Sequence, residues 1–258
     1  MSISSRTLQK KKKEHMENAT SHYDLTVIVP VYNEVDNMPR LESELSNFLR
    51  QAAVPSCILF VDDGSRDTSL ASIRDICRRQ EHFFYIAFSH NCGLSAAMKA
   101  GIDQCCSRWV GYIDADLQTS PQDFNLLLPY AESYALVTGI RTGRKDTWWK
   151  RRQSRLANAF RRMMTGDTAL DTGCPLKILH TDVARRIPFF NGMHRFLPAL
   201  VLLQGEDFYQ LPVRHFPRTA GISKFSMRNR FWGPLSDCFV YRWMKHRYIR
   251  YHIGESRL

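Results

Sequence analysis

Asp114-Ala115-Asp116-Leu117-Gln118 sets two carboxylates one residue apart, with an amide side chain close behind. Carboxylates held that close raise each other's pKa, and burial adds a desolvation penalty. A hard divalent cation such as Mg²⁺ or Mn²⁺, itself holding phosphate oxygens, removes that cost. Asp114, Asp116 and Gln118 all offer the oxygen ligands such a cation prefers. The pentapeptide alone is equally compatible with a solvated turn carrying two acids and a helix cap. Two other clusters share its mixture of acids and turn residues: Pro30-Val31-Tyr32-Asn33-Glu34 and Asp62-Asp63-Gly64-Ser65.

Strands and helices in alternation must position these clusters. Leu25–Pro30, Cys57–Val61, Phe83–Phe88, Trp109–Ile113 and Tyr134–Thr138 are short apolar runs that read as strands. Leu41, Leu45, Phe48 and Leu49 recur at helical spacing, as do Leu70, Ile73 and Ile76. An Ala-rich helix follows Gly93, and another spans residues 121–131. The pattern predicts an α/β fold, a mostly parallel sheet with helices on both faces. Ligands on such sheets bind beyond the carboxyl ends of the strands. The three polar clusters close the first, second and fourth strands, so the rule brings them together. No Gly-x-Gly-x-x-Gly follows the first strand and no Gly-Lys-Ser/Thr loop occurs, which argues against a dinucleotide or P-loop site.

The 258 residues carry 36 Lys and Arg against 25 Asp and Glu, a formal charge of +11. That surplus points to an anionic partner. The seven cysteines are scattered with no Cys-x-x-Cys pair, which fits reduced thiols in a cytosolic protein better than disulfides or zinc. Residues 1–23 read as a disordered basic tail, residues 24–225 as the folded domain, and residues 226–258 as a basic, aromatic segment suited to a membrane surface. No signal peptide and no membrane-spanning run is expected.

Four segments in this order resemble the family 2 glycosyltransferases of GT-A (Rossmann-like) fold. They are Val29-Pro30-Val31-Tyr32-Asn33-Glu34, Val61-Asp62-Asp63-Gly64-Ser65-Arg66-Asp67, Asn91-Cys92-Gly93 and Asp114-Ala115-Asp116-Leu117-Gln118. The nearest match is to the dolichyl- and polyprenyl-phosphate sugar synthases. The resemblance implies a metal-dependent, inverting transfer from a GDP- or UDP-linked sugar donor to a polyprenyl phosphate. It implies that Pro30, Tyr32 and Glu34 line the base and ribose pocket and that Asp62 and Asp63 contact the nucleoside. Asp114, Ala115 and Asp116 would hold the donor diphosphate, with the metal on Asp114, Asp116 and Gln118. Arg141 would meet donor phosphate or sugar, and Asp171, in Asp171-Thr172-Gly173, would lie under the sugar as a base or a positioning group. Arg218, Ser223 and Lys224 match a segment that grips phosphates, Arg218 and Lys224 those of the donor and Ser223 that of the acceptor. Lys177 departs from the Arg that relatives often carry nearby.

The basic run Arg141 to Arg162 reads either as a solvated helix face or as a cradle for the acceptor phosphate, with Arg151 and Arg155 the best candidates. Trp148-Trp149 beside it suits a bilayer interface. A phosphate acceptor is already ionised and needs no base, whereas a saccharide or lipid-A-like hydroxyl does. For the hydroxyl alternative, Glu206-Asp207 is the candidate acidic pair. Residues 228–251 read as a basic aromatic helix that lies on an anionic membrane or packs on the domain, and the two are compatible. The expected location is the inner face of the cell membrane, peripherally held. Nucleic acid is not an expected partner, because no recognised module is present. A homo-oligomer or a membrane-protein anchor is compatible with this reading.

Overall fold

A computed structural model describes residues 22–142, 158–217, 227–249 and 254–255. The chain opens with β1 (Leu25–Val31), α1 (Met38–Gln51), β2 (Ser56–Asp62), α2 (Ser69–Arg79), β3 (Phe83–Ala87), α3 (Leu94–Gln104) and β4 (Trp109–Tyr112). It continues with α4 (Phe124–Ala131), β5 (Leu136–Arg141), a helical stretch at 158–165 (α5), β6 (Lys177–His180) and α6 (Thr181–Arg186). It closes with α7 (Leu197–Leu203), β7 (Phe208–Val213) and α8 (Met227–Arg247).

The seven strands form one sheet in the order β3-β2-β1-β4-β6-β5-β7. All run parallel except β6, which is antiparallel to both β4 and β5. The two-residue period of β1 divides its side chains between two cores. Val27, Val29 and Val31 meet Leu41, Leu45 and Phe48 of α1 on one face. Ile28 meets Ala97, Met98 and Ile102 of α3 on the other. Phe48 is fully buried, so truncating it to Ala costs roughly 3–5 kcal/mol.

The chain builds outward from β1 through β2 to β3, then returns to lay β4 on the other side of β1. That reversal makes the β1–β4 gap the switch point of the sheet, where ligands bind. The β1–β4 ladder stops at Ile28–Tyr112, while β1 stays paired to β2 as far as Val31. Pro30, which has no N–H to donate, sits in the stretch that has left β4. Beyond it the two strands release their polar clusters into one crevice.

Three details differ from the sequence expectation. β6 is absent from the predicted strands, because its four residues include a lysine and a histidine. Tyr23, assigned to the tail, belongs to the fold: its hydroxyl pairs with His82 Nδ1 at 2.9 Å and its ring meets Phe84 edge-on. The segment after residue 226 is not separate from the domain: Tyr241 of α8 is 1% exposed and stacks on Phe196.

Candidate active site

The crevice wall is built by the loops after β1 and β2, which hold each other. The Asn33 N–H donates to Ser65 Oγ at 3.0 Å, and Asn33 Oδ1 accepts the Arg66 N–H at 2.7 Å. The Glu34 N–H donates to Ser69 Oγ at 2.9 Å, and the Glu34 carboxylate accepts from Asn37 Nδ2 at 2.7 Å. Pro30, Tyr32 and Glu34 are half-buried along this loop. Gly64 turns with φ +68°, and a Cβ there would lie 2.4 Å from the His90 carbonyl carbon. Only glycine satisfies both conditions.

The two acids at the end of β2 are buried. Asp62 is fully buried; its Oδ2 accepts the Ser65 N–H at 3.2 Å, and its Oδ1 has no hydrogen-bond partner among the described residues. Asp63 is 4% exposed and accepts from the Cys92 N–H (2.6 Å), the Gly93 N–H (2.9 Å) and Asn91 Nδ2 (2.8 Å). The sequence reading assigns both to direct nucleoside contact. Their hydrogen bonds also make them braces, with Asp63 fastening the β2 loop to the entry of α3.

On the opposite wall, the Tyr112 hydroxyl donates to Asp114 Oδ1. Burial, and then the neighbouring Asp116 carboxylate, push the Asp114 carboxyl up to about 6. Asp116 is buried and its Oδ1 accepts the Gln118 N–H at 3.3 Å. Between them Leu117 adopts φ +49°, a left-handed conformation that costs a branched residue about 1–2 kcal/mol. Burial of Leu117 and Ala115 holds the turn in place. The Gln118 carbonyl accepts the Phe216 N–H at 2.8 Å, and Thr119 bridges His215, so the motif is tied to the segment after β7.

The crevice floor is cationic. Arg141 ends β5 and grips Asp171 with two side-chain hydrogen bonds, Nε to Oδ2 at 2.8 Å and Nη2 to Oδ1 at 2.9 Å. The Arg141 and Gly173 N–H groups also donate to this carboxylate, at 3.2 and 3.0 Å. Burial alone would push Asp171 up, but the Arg141 hydrogen bonds and charge outweigh it and hold the carboxyl below its usual range. Lys177 of β6 is 2% exposed, and its ammonium donates to the Cys174 carbonyl, with the Thr172 carbonyl and Thr138 Oγ1 each at 3.4 Å. Desolvation lowers the Lys177 pKa, and the Asp171 and Asp114 charges oppose that shift.

Among the described residues no group of three or more His, Cys, Asp or Glu side chains could form a metal cage. Asp114 and Asp116 are adjoining carboxylates, and burial with the Asp116 charge raises the Asp114 pKa although Tyr112, Lys177 and Arg141 oppose the shift. That donor set fits a cation completed by phosphate oxygens rather than one enclosed by protein.

The model of the family described as Glycosyl transferase family 2 matches residues 26–190. The chain belongs to Glycosyl transferase family 2. It is 30% identical over 213 residues to the undecaprenyl-phosphate 4-deoxy-4-formamido-L-arabinose transferase of Enterobacter sp. (strain 638), covering 82% of this chain and 65% of that one. It is 30% identical over 205 residues to the same-named protein of Sodalis glossinidius (strain morsitans), covering 79% and 63%. The chain thus spans somewhat under two thirds of the length of these relatives. Its fold matches the Mycobacterium tuberculosis glucosyl-3-phosphoglycerate synthase, crystallised with Mn²⁺ and uridine-diphosphate-glucose. The TM-score is 0.64 at 14% identity, over 89% of this chain and 82% of that one. The GT-A-like α/β fold expected from the sequence is therefore present.

In this family 2 glycosyltransferase the structure gathers Pro30, Tyr32, Glu34, Asp114, Ala115, Asp116 and Gln118 at the strand ends flanking the β1–β4 switch point. Arg141 and Asp171 lie close by, on the far side of β6. Arg151, Arg155, Arg218, Ser223 and Lys224, with Trp148 and Trp149, lie outside the described residues. Arg161, part of the basic run, is not an open cation: it is buried with Asp167, Nη1 to Oδ1 at 2.6 Å, and also donates to the Ala169 carbonyl at 2.7 Å. Glu206-Asp207 sits at the wrong edge of the sheet. The Asp207 carbonyl accepts the Ala135 N–H at 3.0 Å where β5 begins, and Glu206 pairs with Arg186 at 2.9 Å. That edge holds the amino ends of the parallel strands, so the pair cannot act as a base in the crevice.

Tyr112 was not singled out in the sequence, and Lys177 was noted there only as a departure from an Arg of relatives. Tyr112 and Lys177 face each other across the β4–β6 ladder and reach Asp114 and the 172–174 loop. A lysine inside Leu176-Lys177-Ile178-Leu179 is the signal that could have found the second. His194 joins the 190–195 turn to α3, its Nδ1 3.3 Å from Ser95 Oγ. Burial, with Arg195 and Lys177 nearby, lowers its pKa to about 3, so its ring is neutral.

Proposed function

We propose that this family 2 glycosyltransferase moves a sugar from a GDP- or UDP-linked donor to a polyprenyl phosphate, with inversion, at the cytoplasmic face of the membrane. An acceptor phosphate oxygen attacks the anomeric carbon. A new carbon–oxygen bond forms as the bond to the donor diphosphate breaks, and the nucleoside diphosphate leaves. Pro30, Tyr32 and Glu34 line the base and ribose pocket, and Asp62 and Asp63 hold its wall rigid. Asp114 and Asp116, with Gln118 as a further ligand, would hold Mg²⁺ or Mn²⁺, which supplies positive charge to the departing diphosphate. Arg141, oriented by Asp171, lends a guanidinium to the same charge. Arg218 and Lys224 serve the donor phosphates, and Arg151, Arg155 and Ser223 the acceptor phosphate.

The observation that carries the acceptor class is the state of Asp171. It is the base candidate nearest the crevice, yet Arg141 takes both its oxygens and holds it ionised. A carboxylate so stabilised is a poor proton acceptor, and a phosphate nucleophile has no proton to give up. The relatives named as undecaprenyl-phosphate 4-deoxy-4-formamido-L-arabinose transferases support the same class. The hydroxyl alternative loses its other base with the placement of Glu206-Asp207. The test is incubation with undecaprenyl phosphate or a glycan acceptor and a panel of labelled GDP- and UDP-sugars. Label in the lipid phosphate fraction is expected, and label only on the glycan would reject this reading.

A further inference from the structure

Ten large hydrophobic side chains are exposed among the described residues, and six of them lie on or beside α5 and α8: Met163, Leu170, Phe239, Val240, Trp243 and Ile249. The other face of α8 accounts for its attachment to the domain. Cys238 and Tyr241 are buried, the Tyr241 hydroxyl donates to the Ala199 carbonyl at 2.9 Å, and Lys245 Nζ donates to the Thr165 carbonyl at 3.2 Å. Phe239 and Val240 each lie about one turn before Trp243, and the three fall on the side turned away from those anchors. Trp243 is 66% exposed and Met163 68%. The Phe160 and Phe239 rings, 6.3 Å apart, bring α5 against α8, so Met163 and the α8 residues border one surface.

Exposed cations accompany these apolar groups on α8: Arg247, and Arg242, whose guanidinium also meets Met164 Sδ at 3.9 Å. We infer that the outer face of α8, with Met163 of α5, is a docking surface for an anionic lipid bilayer. The occupant follows from charge and chemistry together. Aromatic and thioether side chains set among long cationic ones suit the headgroup level, where apolar stems enter and guanidinium groups meet lipid phosphate. The chain's net charge of +11 has the same sign as the patch. From α5 the backbone passes through exposed Leu170 to Asp171, and the Leu170 N–H is fastened to Gln210 Oε1 at 2.6 Å. Assigning this face to the bilayer deepens the proposed function, on which its biological use rests, by naming the surface that meets the lipid carrier's membrane.

The test is flotation of the full chain with vesicles of phosphatidylcholine alone or with phosphatidylglycerol, without donor or acceptor, so the result is independent of turnover. Binding to the anionic vesicles is expected, weakened by high salt. The Phe239→Ser/Trp243→Ser double variant is expected to bind at least about tenfold more weakly. Arg242→Glu/Arg247→Glu should lose the preference for anionic lipid. Circular dichroism and wild-type turnover on detergent-solubilised acceptor would show the double variant to be folded. Vesicle binding unchanged in the double variant, or absent in the wild type, overturns the inference. So does a concentration-dependent dimer in sedimentation that the double variant abolishes, since the face would then be covered by a second copy.

Discussion

Gly173 shows how closely the crevice floor is drawn. A Cβ at this position would lie 2.7 Å from Arg141 Nη2, and Asp171 prevents the guanidinium from moving aside. Gly173→Ala is therefore expected to displace Arg141 and lower kcat by roughly tenfold to a hundredfold, the range for misplaced positioning groups. Steady-state kinetics on labelled donor checks this. Asp171→Asn removes the charge that orients Arg141 and should cost about 2 kcal/mol of stability. The pH dependence has a definite sign. Because Asp171 is held below its ordinary value, its stabilising contribution is complete above about pH 4 and is lost as pH falls through the folded-state value. Urea unfolding of wild type and Asp171→Asn should differ most at neutral pH and converge on acidification.

At the scale of elements, strand ends and turns carry the geometry. Gly64→Ala must shift the His90–Asn91 backbone and force a left-handed φ on alanine, so we expect a loss of about 2–3 kcal/mol and weaker donor binding. Thermal unfolding and donor calorimetry together measure both. The 190–195 turn supplies a second pH signature. The neutral His194 takes a proton in the unfolded chain below about pH 6.5, but in the fold only near pH 3. Stability should therefore fall as pH drops from 6.5, and His194→Gln should flatten that slope. Much of this scale was legible in the sequence. β1, β2, β3 and β4 are continuous apolar runs, so their placement and the clusters that close them follow from pattern. β6 was not legible, because Lys177 breaks the apolar signal and its purpose, bonding carbonyls of the 172–174 loop, exists only in three dimensions. Likewise the bracing role of Asp62 and Asp63 was not legible, because their partners, at 65 and 91–93, cannot be seen from composition.

At the scale of the whole molecule, one mostly parallel sheet brings three acidic strand ends to the switch point of a protein with a large cationic surplus. No helix among the described residues is long and apolar enough to cross a membrane. The sequence reads the basic C-terminal segment as a helix that lies on an anionic membrane or packs on the domain; the packing is present through Tyr241 and Cys238, but which residues face inward was not legible, since aromatic residues occupy both sides of α8. The central claim concerns the carboxylate pair at the crevice, and one measurement addresses it most directly. Labelled sugar transfer from each donor to undecaprenyl phosphate is followed with Mg²⁺, with Mn²⁺ and with chelator, for wild type and for Asp116→Ala of matching thermal stability. Wild type is expected to transfer label only with a divalent cation, and Asp116→Ala to lose at least about a hundredfold in rate. Full activity in Asp116→Ala, or turnover undiminished by chelator, would contradict it.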